Sequence, residues 1–436
     1  MERAGSAVAM LWKPDQPAWK PPVVADEYAG WRKEQQAWLE RVAISDLSYH
    51  MRDLFVDGPD ATRLLADYSA NDYEKFEIGQ AKQFVPVTER GYIVQDGILM
   101  RNAADSYTLT GPSASQSWVL YHAERGSYDV SFFDEPSSEY RYDGNPPRLF
   151  RFQVQGPMAL ALVEKVFGGP LPTVKFFHSA PAALGRRSFR ALRHGMAGQP
   201  GYEFIGNYED HDFVRDAFLE AGEEFGIARI GALAYAINNL EGGWIPTPTP
   251  AIFTDASLRD YREWLPFFSF EGQNGFHGSY YSEAIEDYYL SPYELGYGRS
   301  VSFGHDYLGR DALKELRDKV TRAKVTLELD AVQARAAFGD GYFLSHARDR
   351  VETEDGRLVG ITYHTGPLDP RDVVLSLALV ETAHAEPGTR LQVIRGEHPG
   401  PGSSADAAFD SIALDVTVRP APYGDFARTR YRRNEP

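Results

Sequence analysis

The 436-residue chain contains no cysteine. That excludes disulfides, thiolate metal ligands and a cysteine nucleophile outright. Positive charge is in deficit, with 62 acidic against 45 basic residues and a formal net charge of −17. Tracking a nucleic-acid backbone or docking on anionic lipid requires a basic surface, so neither nucleic acid nor membrane is an expected partner. No window approaches the roughly 20 apolar residues of a membrane span. The N-terminal M-E-R-A-G-S-A-V-A-M-L-W-K lacks the apolar region and cleavage site of a secretory signal. These absences predict a cytoplasmic protein.

Several chemical signatures are missing as well. No G-x-G-x-x-G follows a strand pattern, and neither G-x-x-x-x-G-K-[ST] nor H-E-x-x-H occurs. A G-x-S-x-G nucleophile elbow is also absent. His50, His122, His178, His194, His211, His277 and His305 are scattered without metal-ligand spacing, so no metal is expected. Each reads as a hydrogen-bonded structural residue. His50 and His194 stand apart, because they fall in polar turns that flank the Gly-rich stretch described below.

What remains is an ordinary globular composition, 43% hydrophobic and 25% charged, in a chain long enough for two or three domains. Residues 1–147 read as a first α+β unit. Its helices are expected over Glu27–Val42, Asp60–Tyr68 (with Asp60 available as a cap) and Trp118–Arg125. Period-two strands run from Lys82 to Leu109 with turns at Gly91 and Asp96-Gly97, and Gly111–Ser117 is a polar loop. Residues 135–147 are rich in turn formers and mark a boundary. Residues 148–320 form a second unit: strand 149–155, a hairpin pair over Ser188–His194 and Tyr202–Gly206, and a helix over Glu209–Phe225 ended by Gly226. An aromatic-rich segment follows the stiff I-P-T-P-T-P. Residues 321–436 carry β-strand patterns, with Asp355-Gly356 as a hairpin turn, and predict a small barrel or sandwich.

The densest chemistry lies between Arg190 and Trp244. Here R-A-L-R-H-G-M-A-G-Q-P-G-Y-E-F-I-G and G-A-L-A-Y-A-I-N-N-L-E-G-G-W flank an amphipathic helix. Glycines let backbone approach a flat ligand, and the carboxylates Glu203 and Glu241 accept paired N–H donors from a heterocycle. A pterin or purine-like ring fits that combination. Tyr235 stands alone in a small, apolar run and by itself reads as a core tyrosine.

These motifs resemble the folate-binding signature of the glycine-cleavage T-protein (aminomethyltransferase) superfamily. P-V-V-A-D-E-Y-A-G-W-R, A-K-Q-F-V-P-V-T, L-R-H-G-M-A-G, L-E-A-G-E-E-F-G, W-I-P-T-P-T-P-A-I and I-E-D-Y-Y-L-S-P-Y-E-L-G-Y-G extend the similarity. Within the superfamily, they are similar to the bacterial tetrahydrofolate-dependent O-demethylases of vanillate and 3-O-methylgallate. The likeness covers residues 20–315 and is looser beyond. It implies a three-lobed cloverleaf, two related α+β lobes and a C-terminal β lobe, around a central channel for tetrahydrofolate. It also implies transfer of a methyl group from a methoxy-aromatic substrate to N5, giving a phenol and 5-methyltetrahydrofolate.

On that resemblance, Tyr235 is the catalytic proton donor to the departing phenolate, both groups having a pKa near about 10. Gln155, Glu203, Glu241 and Trp244 hold the cofactor, the last by stacking. His50 belongs to the substrate pocket. Two positions depart from the aromatic-acid demethylases: Pro21 replaces a tyrosine, and Pro112 replaces the arginine that grips the substrate carboxylate. Losing such a contact removes about 1.5–3 kcal/mol. The expected substrate is therefore a neutral methoxyphenol, or an aromatic acid gripped by another cation. Two alternatives stay open: a sulfonium or amine methyl donor, and a non-catalytic folate-binding protein. The second lacks the K-G-C-x-x-G-Q-E motif of its kind here. Oligomeric state is not legible.

Overall fold

Alternating β-branched and aromatic residues assemble into three sheets in the computed structural model, which describes residues 1–141 and 144–431. The first sheet is antiparallel, in spatial order Ala81–Phe84, Gly97–Ala103, Ser106–Gly111, Arg52–Asp57 and Ser131–Glu135. Leu54, Val56, Leu99 and Leu109 on one face pack with Leu64 and Leu65 of helix Ala61–Asp67 and Val119 of helix Ala114–Arg125.

The second sheet runs Ala228–Ile230, Ala43–Asp46, Leu149–Gln155, Gly201–Asn207, Arg187–Leu192 and Ser179–Leu184. Its first two strands pair in parallel and the others antiparallel. Phe150, Phe152, Val154 and Phe204 bury against Leu162 and Phe218 of helices Ala159–Phe167 and His211–Gly222. Strand Ala43–Asp46 comes from the first third of the chain but lies in this second sheet. The break near residue 147 therefore separates chain segments, while the sheets interlock across it.

The third sheet is a closed six-stranded barrel. Arg322–Leu329 is followed around it by Val373–Glu381, Leu358–Leu368, Arg350–Glu352, Arg390–Gly396 and Ser411–Arg419. Gly356 takes a positive φ of 84° in the hairpin turn between two of these strands.

Helix Ala232–Ile237, which carries Tyr235, sits where all three bodies meet. Ala234, Ile237 and Leu240 share a core with Leu47, with Val85 and Val87, and with Tyr363 and Leu375 of the barrel. Glu34 pins the helix entry. One carboxylate oxygen accepts the Tyr28 and Ala29 N–H groups at 2.6 and 3.0 Å, and the other accepts Gly231 N–H at 2.8 Å. The same contacts hold residues 28–30 in a loop, so the helix expected from Glu27 runs only over Trp31–Glu40, after Gly30 at φ 95°.

Local propensity is overridden at three further places. Asp96-Gly97 makes no hairpin turn: Gly97 opens a strand, and Asp96 is buried among donors from elsewhere in the chain. The polar run Gly111–Ser117 starts a helix at Ala114, because Gln116 turns inward and its Nε2 donates to the Arg52 carbonyl at 2.8 Å. Asp60 does not cap its helix; its carboxylate pairs with Arg63 instead. Among the described residues no helix is long and apolar enough to cross a membrane.

Candidate active site

Two cavities meet beside Tyr235. The larger, about 1250 Å³, lies between the first two sheets, with the Gly242–Trp244 turn and the C-terminal segment among its walls. The smaller, about 480 Å³, is bounded by Gln16–Trp19, by helix Ala232–Ile237 and by the barrel. His50, Met51, Gly111, Pro112, Met196 and Trp244 line both, so the cavities share one wall.

At that wall the Tyr235 hydroxyl and His50 Nε2 are 2.5 Å apart, and Met196 Sδ lies 3.2 Å from the same hydroxyl. Both rings are buried. Burial pushes the Tyr235 hydroxyl well above its usual pKa; the Glu203 carboxylate adds to this and the Arg151 guanidinium opposes it. Burial, and then Arg151, pulls the His50 imidazole down to about 3. A protonated tyrosine thus meets a neutral imidazole, whose Nε2–H tautomer donates to the phenol oxygen and leaves the hydroxyl proton free for another acceptor. The sequence suggests a phenol of ordinary acidity, but the fold makes it a weaker acid. Tyr235 therefore remains a hydrogen-bond donor across the physiological pH range.

Glu203 lines the larger cavity and is held by Arg151, whose Nε lies 3.2 Å from Oε1. Arg151 also pairs with Asp53 at 3.1 Å. Burial still raises the Glu203 carboxyl above the usual range. Trp244 lines both cavities, and its Nε1 donates to Asp96 Oδ2 at 2.8 Å.

Neither Gln155 nor Glu241 lines either of these two cavities. Gln155 accepts the Ala197 N–H and donates to the Gln199 carbonyl, both at 3.0 Å, and so fixes the Gly-rich loop from beneath. A Cβ on Gly195 would come within 1.2 Å of Gln155 Nε2, which explains the glycine there. Glu241 faces the barrel, with Oε1 3.0 Å from Arg371 Nη2. Burial raises it to about 7 despite that contact, because half of Arg371 remains in water. Pro21 is buried outside both linings, and Trp19 of the same extended segment takes the place by His50, with ring centroids 6.1 Å apart. Pro112 lies at the shared wall.

Sequence reasoning missed two wall residues. Asp96 accepts from Trp244, from Tyr297 at 2.8 Å, from Gln95 at 3.0 Å and from Gln83. A D-G dipeptide read as a turn hid it. Tyr431, near the C-terminus, lines the larger cavity and donates to the Gly195 carbonyl at 2.5 Å. Among the described residues no group of three or more His, Asp or Glu side chains is disposed to hold a metal ion.

Residues 9–248 match the GCVT N-terminal domain. A syringate O-demethylase from Sphingobium sp. (strain NBRC 103272 / SYK-6) is 35% identical, covering 99% of this chain and 96% of its own. A sesamin methylene transferase from Sinomonas sp. (strain No.22) is 27% identical over 92% of this chain and 90% of its own. The crystal structure of glycine cleavage system aminomethyltransferase T from Bartonella henselae superimposes with a TM-score of 0.64 at 18% identity. It covers 97% of this chain and 96% of that one, and so shares the fold.

Proposed function

The chain belongs to the family of the GCVT N-terminal domain and is a tetrahydrofolate-dependent methyltransferase, and from that premise we propose how its two cavities divide an O-demethylation. The larger takes tetrahydrofolate. Its volume suits a folate, and the buried Glu203 carboxylate supplies an acceptor of the kind that a pterin's N–H groups require. Gln155 and Glu241 support that cavity indirectly, by fixing the backbone around it. The smaller takes a methoxy-aromatic of the syringyl class, as the name of the syringate O-demethylase relative indicates.

The observation that carries this reading is Tyr235, which lines the smaller cavity with its hydroxyl 2.5 Å from Nε2 of His50, a residue of the wall shared with the larger one. Breaking an aryl methyl ether expels a phenolate, and a donor aimed at that oxygen lowers the barrier. When bound, tetrahydrofolate supplies the amine N5, which gains the methyl group and loses a proton. The transfer is then proton-neutral overall. Tyr235 donates its hydroxyl proton toward the departing oxygen, His50 supports the resulting tyrosinate by donating from Nε2–H, and the proton released from the amine restores the tyrosine. Trp19, Trp244 and Met196 exclude water and align the ring so that the methyl carbon faces the other cavity. We place the reaction in the cytoplasm, in keeping with the cysteine-free composition.

The test is direct. Syringate and tetrahydrofolate are incubated with the protein, and 5-methyltetrahydrofolate and the demethylated phenol are quantified by mass spectrometry. Equimolar formation of both is expected. Failure to form either from any methoxy-aromatic would overturn the reading.

A further inference from the structure

The barrel contributes a pair of histidines to the smaller cavity that the chemistry above does not use. Strand Leu358–Leu368 shifts register against Val373–Glu381 between Thr362 and His364, a bulge of the kind that re-aims a side chain. Ser345 exchanges both backbone hydrogen bonds with Thr365, at 2.9 and 2.8 Å, which brings the next residue, His346, alongside. The two imidazoles stack with centroids 5.0 Å apart and planes 29° from parallel, and both line the cavity.

Nε2 of His346 is buried without a hydrogen bond, and His364, 1% exposed, has only the Ala236 backbone as a partner for its two ring nitrogens. Buried polar groups are ordinarily hydrogen-bonded, so an unpartnered nitrogen in a cavity wall is a place where a ligand atom or a water can bind.

Behind them sits Arg348, 2% exposed. Its guanidinium donates to the carbonyls of His346, Tyr363 and Thr247 at 2.9, 3.3 and 2.6 Å and packs on the Tyr363 ring at 4.3 Å. No carboxylate pairs with it among the described residues, and only tyrosine hydroxyls oppose the effect of its burial. A buried cation without a counter-ion makes its surroundings attractive to an anion.

Resting on the O-demethylase reading, we propose that His346 and His364, backed by Arg348, form the seat for a carboxylate on the methoxy-aromatic ring. The substrate is then an aromatic acid rather than a neutral methoxyphenol. The seat replaces the arginine that Pro112 displaces. Burial keeps both rings neutral before binding, with His346 pulled to about 3, so each presents an N–H donor without needing a proton.

The experiment compares syringate with the dimethoxyphenol that lacks its carboxyl group, using wild type, His346→Gln, His364→Gln and the double variant. Wild type is expected to prefer the acid by about 100-fold in kcat/KM, and each single variant to lose about tenfold of that preference, through KM for the acid. Parameters for the neutral phenol, tetrahydrofolate binding and the thermal midpoint should stay near wild type. A preference unchanged in all three variants, or a wild type that favours the neutral phenol, overturns the proposal. Titration of benzoate by calorimetry separates the two readings. If no donor yields 5-methyltetrahydrofolate but benzoate binds wild type and not the double variant, the seat stands and the demethylase reading falls. If benzoate binds both equally, the seat falls.

Discussion

Replacing Tyr235 by phenylalanine removes one oxygen from the wall between the cavities and little else. The ring stays packed among Ala234, Ile237 and Tyr363, so the core keeps its volume. Two effects follow. His50 Nε2 loses its partner at 2.5 Å inside a buried site, which costs about 1–3 kcal/mol of folding stability. The departing phenolate loses its proton donor, a contribution of about 10²–10⁴ in rate. We expect kcat for syringate to fall at least about 100-fold, with tetrahydrofolate affinity within about threefold of wild type. The assay is the initial rate of 5-methyltetrahydrofolate formation over a series of aryl methyl ethers. Electron-withdrawing substituents make the phenolate a better leaving group that needs a donor less. The defect of the variant should therefore shrink along the series. A loss below threefold, equal for all ethers, would refute the role of the hydroxyl.

Three further outcomes follow from the same geometry. Glu241 is raised from 4.5 to about 7, so the folded state holds its proton more tightly than the unfolded chain does. Its contribution is then full below pH 4.5 and lost as pH rises through about 7, at most roughly 3 kcal/mol. Glu241→Gln should flatten that part of a melting-temperature profile, and an unchanged slope would count against the assignment. Asp96→Ala strands the donors of Trp244, Tyr297, Gln95 and Gln83, and should cost about 2–4 kcal/mol by denaturant unfolding while weakening tetrahydrofolate binding. Gly195→Ala drives a methyl group into Gln155, whose amide is tied to backbone at both ends, so we expect about 1–3 kcal/mol of destabilisation and tenfold or weaker cofactor binding by fluorescence quenching.

The sequence shows the α+β class and a C-terminal β unit, barrel or sandwich, because period and turn spacing are local properties, whereas closure into a barrel is not. Tyr235 was legible only through the resemblance, since its residues alone describe a core tyrosine. Gln155 and Glu241 show the limit of spacing arguments. A polar side chain in a Gly-rich loop serves a ligand or the loop's own backbone, and nothing in the motif separates the two. Here Gln155 bonds to Ala197 and Gln199, and Glu241 faces Arg371. Asp96 was hidden because its partners lie at Gln83, Trp244 and Tyr297, and a dipeptide rule sees none of them.

His346 and His364 were hidden for another reason. They lie in the part of the chain where the resemblance is loose, and the bulge that aims His364 leaves no mark on a hydrophobicity pattern. Their position changes what the missing arginine means. Read along the chain, Pro112 looks like the loss of a carboxylate contact and points to a neutral substrate or to an acid gripped by another cation. In the fold, Pro112 lies at the wall shared with the cofactor cavity, whereas the uncompensated cation and the two imidazoles belong to the barrel. An acid anchored there meets Tyr235 from the barrel side of helix Ala232–Ile237. That anchor fixes how far the ring reaches toward the wall, and so which methoxy group faces the tyrosine. Moving the anchor from the first sheet to the barrel thus changes the orientation of the ring without altering the folate cavity. Substrate choice can diverge in this way while the methyl-transfer chemistry stays constant.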